Sequence, residues 1–141
     1  VLDRSELASA SGVLKGGYTL WESSEHPQVI IIATGSEVHV ALEAAKTLDD
    51  EGTAVRVVSM PSCEVFDDQP KEYRDQVLPP SVRARVSVEA GSTKGWERYV
   101  GLDGASIGMT AYGASAPAGT LYEKFGITAE RVADEARQLV G

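Results

Sequence analysis

The sequence predicts an α/β fold: a three-layer α/β/α sandwich built on a mostly parallel five-stranded sheet with one antiparallel edge strand. Three observations predict it. A wholly apolar run, Val29-Ile30-Ile31-Ile32-Ala33, passes through Thr34-Gly35-Ser36 directly into a helical pattern, which is the first half of a βαβ crossover. The β-branched runs over residues 54–60, 84–90 and 105–110 are each separated by helix-forming stretches, and strands alternating with helices imply a parallel sheet covered on both faces. Tyr18-Thr19-Leu20-Trp21-Glu22 alternates apolar and polar instead, as a half-exposed edge strand does.

Each element follows from local chemistry. Residues 1–14 are mixed and polar without periodicity and read as a linker from a preceding domain, with the fold proper over 15–141. The edge strand is expected to turn back, hairpin-like, through the polar stretch ending at Pro27. After the buried strand, Val38, Ala41, Leu42, Ala45 and Leu48 fall on one helical face, and Gly52 closes that helix. The next strand stops at Pro61, which has no N–H for a ladder. Val65, Phe66, Tyr73, Val77 and Leu78 mark two helical pieces broken at Gln69-Pro70, the second ended by Pro79-Pro80. Ala84 begins the third core strand, Gly91-Ser92-Thr93 opens a turn into a helix carrying Trp96 and Tyr99, and Ala105 begins the last strand. Pro117 starts a helix that Gly126 stops, and Thr128 caps a final amphipathic helix with Val132, Ala133, Ala136 and Leu139 on one face.

Composition excludes several classes of function. The chain has 141 residues, enough for one domain with a core, and a formal charge of -8. That charge repels phosphate backbones and anionic lipid, no cluster of Lys and Arg offsets it, and no apolar run approaches the roughly 20 residues of a membrane span. Nucleic acid and membrane are therefore not expected partners. Cys63 is the single cysteine; a structural thiol in a reducing cytoplasm is expected. The opening Val1-Leu2-Asp3 lacks an initiator Met and suggests a piece of something longer.

Ligands of such folds sit beyond the carboxyl ends of the strands, where helix N-termini favour anions. The turns at 34–36, 59–62, 90–93 and 113–117 should gather there. They nominate Thr34, Gly35, Ser36, Ser59, Ser92 and Lys94 as a candidate anion pocket. The simpler reading is a helix cap, in which Thr34 with Glu37, or Ser36 alone, satisfies free N–H groups. The turn is neither a G-x-G-x-x-G nor a Walker loop. His26 and His39 lack metal spacing, and the acidic runs Asp49-Asp50-Glu51 and Asp67-Asp68 read as solvated. Ser36, Ser59 and Ser92 lack the context of a nucleophile elbow. Glu89 ends a buried strand, where a carboxylate needs solvent or a partner. Lys94 or Arg98 could pair with it, with an active-site acid as the other reading. Trp96 and Tyr99 read as core or interface anchors.

Taken in order, Lys15-Gly16-Gly17-Tyr18, Ile32-Ala33-Thr34-Gly35-Ser36-Glu37-Val38, Arg56-Val57-Val58-Ser59-Met60-Pro61 and Tyr73-Arg74-Asp75-Gln76-Val77-Leu78-Pro79 resemble the carboxyl-terminal domain of transketolase. Residues 84–91, Gly108-Met109-Thr110, residues 112–117 and Phe125-Gly126-Ile127-Thr128 extend the resemblance over residues 15–140. It implies a cytoplasmic homodimer, dependent on thiamin diphosphate and a divalent metal (Mg or Ca), that moves a two-carbon ketol unit between sugar phosphates in the pentose phosphate pathway. This chain would be its third domain, contacting the preceding domains and a second subunit, without catalytic, cofactor or metal residues of its own. Glu89 would then not be the cofactor-activating glutamate, and Arg4 would be a linker residue rather than the substrate-phosphate arginine. The rival is a regulatory module binding a small anion or nucleotide at the carboxyl edge. An independent hydrolase has no constellation behind it.

Overall fold

The computed structural model describes residues 15–34, 37–89, 97–101, 104–108 and 128–140. Its five-stranded sheet comprises β1 (Tyr18–Glu22), β2 (Val29–Ala33), β3 (Val55–Ser59), β4 (Arg85–Glu89) and β5 (Ala105–Gly108), in the order β1-β3-β2-β4-β5. All neighbours are parallel except β1 with β3. The helices are α1 (Glu37–Asp50), α2 (Cys63–Asp67), α3 (Lys71–Val77), α4 (Glu97–Val100) and α5 (Ala129–Val140).

Alternation along the strands divides the core in two. Val29, Ile31 and Ala33 face one side with Val55, Val57, Val86, Val88 and Ile107, against Ala41, Ala44, Ala45 and Leu48 of α1 and Val132, Ala133 and Ala136 of α5. Ile30, Ile32, Val58 and Met60 face the other, against Phe66 of α2, Val77 of α3 and Tyr99 and Val100 of α4. Helices thus cover both faces, as expected. The run of alanines in α1 lets that helix approach the sheet closely.

β1 is the antiparallel edge strand the sequence predicts, but it pairs with β3 rather than turning back on β2. The burial patterns give the reason. Every residue of β2 is buried, so β2 needs a strand on each side, whereas β1 buries only Leu20 and suits an edge. The intervening segment is held in place by the Ser23 N–H donating to the Val55 carbonyl at 2.9 Å and the Ala54 N–H donating to Gln28 Oε1 at 3.0 Å.

The caps fall where expected. Gly52 sits at φ +89° and its N–H donates to the Asp49 carbonyl, closing α1. The Arg131 N–H donates to Thr128 Oγ1 at 3.1 Å at the start of α5. The two helical pieces break at Gln69-Pro70. The expected helix from Pro117 lies outside the described residues.

Further contacts lock α2 and α3 to the sheet. Gly16 takes φ +81°, and a Cβ there would lie 2.3 Å from the Phe66 nitrogen, so the chain enters flush against α2. Tyr73 OH donates to the Gly17 carbonyl at 2.7 Å, and Lys15 Nζ stands 4.5 Å from the Tyr73 ring centroid. From β3, Arg56 donates to Glu22 Oε2 of β1 at 2.8 Å and to the Gln76 and Val77 carbonyls of α3 at 2.8 and 3.1 Å. The sequence holds no sign that this strand arginine joins three elements.

Candidate functional site

The register brings the predicted edge residues together. Ala33 lies opposite Ser59 on one side and Val88 on the other, so Thr34, Ser59 and Glu89 share the carboxyl edge of three adjacent strands. There Thr34 Oγ1 donates to Glu89 Oε2 at 2.5 Å. The partner that Glu89 requires is thus at least in part Thr34, fifty-five positions away. Lys94 and the side chain of Arg98 lie outside the described residues, as do Gly35, Ser36, Ser92 and Trp96.

Two features weigh against anion binding at this edge. The Thr34 hydroxyl proton is committed to a carboxylate. Glu37, read from the sequence only as a capping partner, is itself 5% exposed at the start of α1, so a second carboxylate stands beside the turn. Its N–H donates to the Thr34 carbonyl at 3.0 Å. Carboxylates at a helix N-terminus use the positive end of the dipole that an anionic ligand would need.

A concavity lies away from this edge. A cavity of about 520 Å³ opens between α2, α3, α4 and the amino-terminal end of β4, lined among others by Phe66, Arg74, Asp75, Leu78, Arg85 and Tyr99. Its polar groups are mostly engaged by the fold. Arg85 donates through Nε to the Val82 carbonyl, through Nη1 to that of Tyr99 and through Nη2 to those of Leu78 and Pro79, at 2.7–3.2 Å. Burial lowers its pKa, opposed by the nearby Asp75 charge. Tyr99 OH donates to Asp67 Oδ1 at 2.9 Å, and burial, followed by contacts with Cys63 and Asp67, pushes its hydroxyl far above the ordinary range. Tyr99 is therefore the core anchor the sequence predicts, packed edge-on to Phe66 with ring centroids 6.4 Å apart. Cys63 is a half-buried thiol in this cluster.

Among the described residues, no group of three His, Cys, Asp or Glu side chains could hold a metal ion. Nor is any buried side-chain nitrogen or oxygen left without a hydrogen bond.

Fold and edge together define a parallel-sheet α/β domain whose described polar groups are turned mainly to holding its own elements together. Residues 16–128 match the family model described as the transketolase-like TK C-terminal domain. The chain is 54% identical over 134 residues to a chloroplastic transketolase of Craterostigma plantagineum, covering 94% of this chain and 26% of that protein. It is 52% identical over 129 residues to transketolase 2 of Escherichia coli, covering 92% of this chain and 19% of the relative. Among solved structures, a transketolase from Leishmania mexicana superposes with a TM-score of 0.85 at 50% identity, over 94% of this chain and 19% of that one. The chain belongs to the transketolase family and corresponds to its carboxyl-terminal domain. It spans about a fifth to a quarter of the length of these relatives.

Proposed function

We propose that this chain acts as the carboxyl-terminal domain of a working transketolase, with residues 1–14 as the link from a preceding domain and 15–141 as the domain itself. In that setting it supports the catalytic domains and contributes to contacts with a second subunit of a homodimer. The parent would transfer a two-carbon ketol unit between sugar phosphates, in the cytoplasm, using thiamin diphosphate and a divalent metal held by the other domains. The observation that carries this reading is the coincidence of the family match over residues 16–128 with a described edge whose Thr34 is already bonded to Glu89.

A related solved structure gives support from a different direction. The split-gene transketolase named as an inactive beta4 tetramer matches 90% of this chain and 43% of its own, at 26% identity and a TM-score of 0.68. That protein, which contains this domain fold, is named as inactive.

Titration calorimetry of the 141-residue chain with thiamin diphosphate and magnesium tests the proposal. No saturable heat is expected. Saturable cofactor binding would overturn the assignment of the cofactor to other domains. Nucleotide binding abolished by Ser36→Glu would instead favour the regulatory module at the carboxyl edge.

A further inference from the structure

Residues 62–80, which carry the chain through α2 and α3 on its way from β3 to β4, are held differently from the rest of the domain. α1 buries Val38, Ala41, Leu42, Ala44, Ala45 and Leu48, whereas α2 buries only Phe66 and α3 only Val77, with Leu78 just beyond it. Phe66, Arg74 and Leu78 of this segment line the cavity of about 520 Å³ together with Arg85 and Tyr99, so the segment does not close tightly onto what faces it. Polar contacts hold it instead. Near the entry of the chain, the Ser62 N–H donates to the Gly16 carbonyl at 2.9 Å, Tyr73 OH donates to the Gly17 carbonyl at 2.7 Å, and Lys15 Nζ stands 4.5 Å from the Tyr73 ring centroid. At the far end, Arg56 donates to the Gln76 and Val77 carbonyls and Arg85 to those of Leu78 and Pro79. Pro61 and Pro79-Pro80 flank the two helices and offer no backbone donor to tie their ends to the sheet.

From this arrangement we infer that residues 62–80 form a strap that opens as one cooperative unit while the sheet and α1 stay folded, latched by the entry of the chain at Gly16-Gly17. Segments that bury few apolar side chains open at lower free energy than the core, and β2, buried throughout, is the opposite extreme. The two helices open together for two reasons. Adjacent carbonyls, those of Gly16 and Gly17, hold the cap of α2 and the ring of α3 respectively. Phe66 of α2 and Tyr73 of α3 also pack edge to face, ring centroids 6.2 Å apart. The latch acts in both directions. A Cβ at Gly16 would lie 2.3 Å from the Phe66 nitrogen, so a displacement of the entering chain is felt at once by α2. Whatever moves residues 15–17 therefore releases the strap and admits water to Arg85 and Tyr99, and a closed strap fixes the direction in which the chain enters the domain. Nothing in this coupling depends on the transketolase reading.

Native-state hydrogen exchange of the 141-residue chain in low urea, read residue by residue by NMR, is the test. The amides of Phe66, Asp68, Arg74 and Leu78, which close the turns of α2 and α3, and that of Ser62 are expected to share one opening constant. It should exceed that of β2 and α1 about tenfold or more and rise with urea. Tyr73→Phe keeps the ring and removes the donor to Gly17, and should raise the shared constant about fivefold in α2 as well as α3. Gly52→Ala lies outside the strap and destabilises its closed and open forms alike, so it should speed exchange in β2 and leave the strap's constant unchanged. Separate opening constants for α2 and α3, an opening without urea dependence, or a strap that opens no more readily than β2 would overturn the inference. So would a Tyr73→Phe protein in which only α3 responds or neither helix does, or a Gly52→Ala protein whose strap responds as strongly as β2.

Discussion

Replacing Arg56 with Met keeps the apolar stem and removes the guanidinium that ties β1, β3 and α3 together. The arginine side chain is 8% exposed and Glu22, its carboxylate partner, is 31% exposed. Breaking a fully buried pair costs roughly 3–5 kcal/mol. Here Glu22 can recover water, which lowers the figure, but the Val77 carbonyl stays among buried neighbours and loses its donor, at about 1–3 kcal/mol. The expected net loss is about 2–4 kcal/mol. For a domain of this size that corresponds to a fall in Tm of roughly 8–16 °C. Urea unfolding followed by far-ultraviolet circular dichroism should show a lower midpoint with an unchanged slope. Glu22→Gln should cost only about 1 kcal/mol, because its partner keeps the two carbonyls of α3. An Arg56→Met protein within about 0.5 kcal/mol of the parent would refute the reasoning. So would equal losses in the two variants, since the carbonyl contacts would then contribute nothing.

Three other outcomes follow from the same structure. Gly16→Ala combines a positive φ with a Cβ 2.3 Å from backbone and should cost more than about 2 kcal/mol, whereas Gly52→Ala, at φ +89° in open space, should cost about 1; chemical denaturation compares them. Thr34→Val removes the donor to Glu89 Oε2 at nearly constant volume and should lose about 1 kcal/mol in the same assay. The Arg137 hydrogen bond, with its charge, holds the Glu51 carboxyl below its ordinary value. Its contribution is therefore present above the unfolded carboxylate pKa, near 4.5, and is lost as pH falls through the lower folded value. Acid titration of Glu51→Gln should lack that part of the decline, which is small because the pair is exposed.

The fold was legible because its signals are local. Residues 29–33 are apolar at every position and so require a central strand, and Gly52, Pro61 and Thr128 each end or begin an element by chemistry confined to a few neighbours. The pairing of β1 was not local. Its alternation marks an edge, but the choice of β3 over β2 depends on β2 being buried from both sides by other strands. The site divides in the same way. Topology placed Thr34, Ser59 and Glu89 on one edge, as the register bears out. The Thr34 to Glu89 hydrogen bond joins residues whose types carry no mutual signal. Glu37 resembled an ordinary cap, and only packing reveals its burial. The cavity was invisible for a related reason: its lining comes from α2, α3, α4 and β4, and no spacing in the sequence connects them.

The central claim, that this chain is a supporting third domain of a transketolase, is tested most directly by exchange. The matching carboxyl-terminal segment of Escherichia coli transketolase 2 would be replaced by residues 15–141 of this chain, and ketol transfer measured with thiamin diphosphate and magnesium against the same enzyme truncated at the junction. The account predicts that the exchanged enzyme is active and the truncated one is not. A folded, cofactor-loaded exchange protein without activity, or a truncated enzyme as active as the intact one, would contradict it.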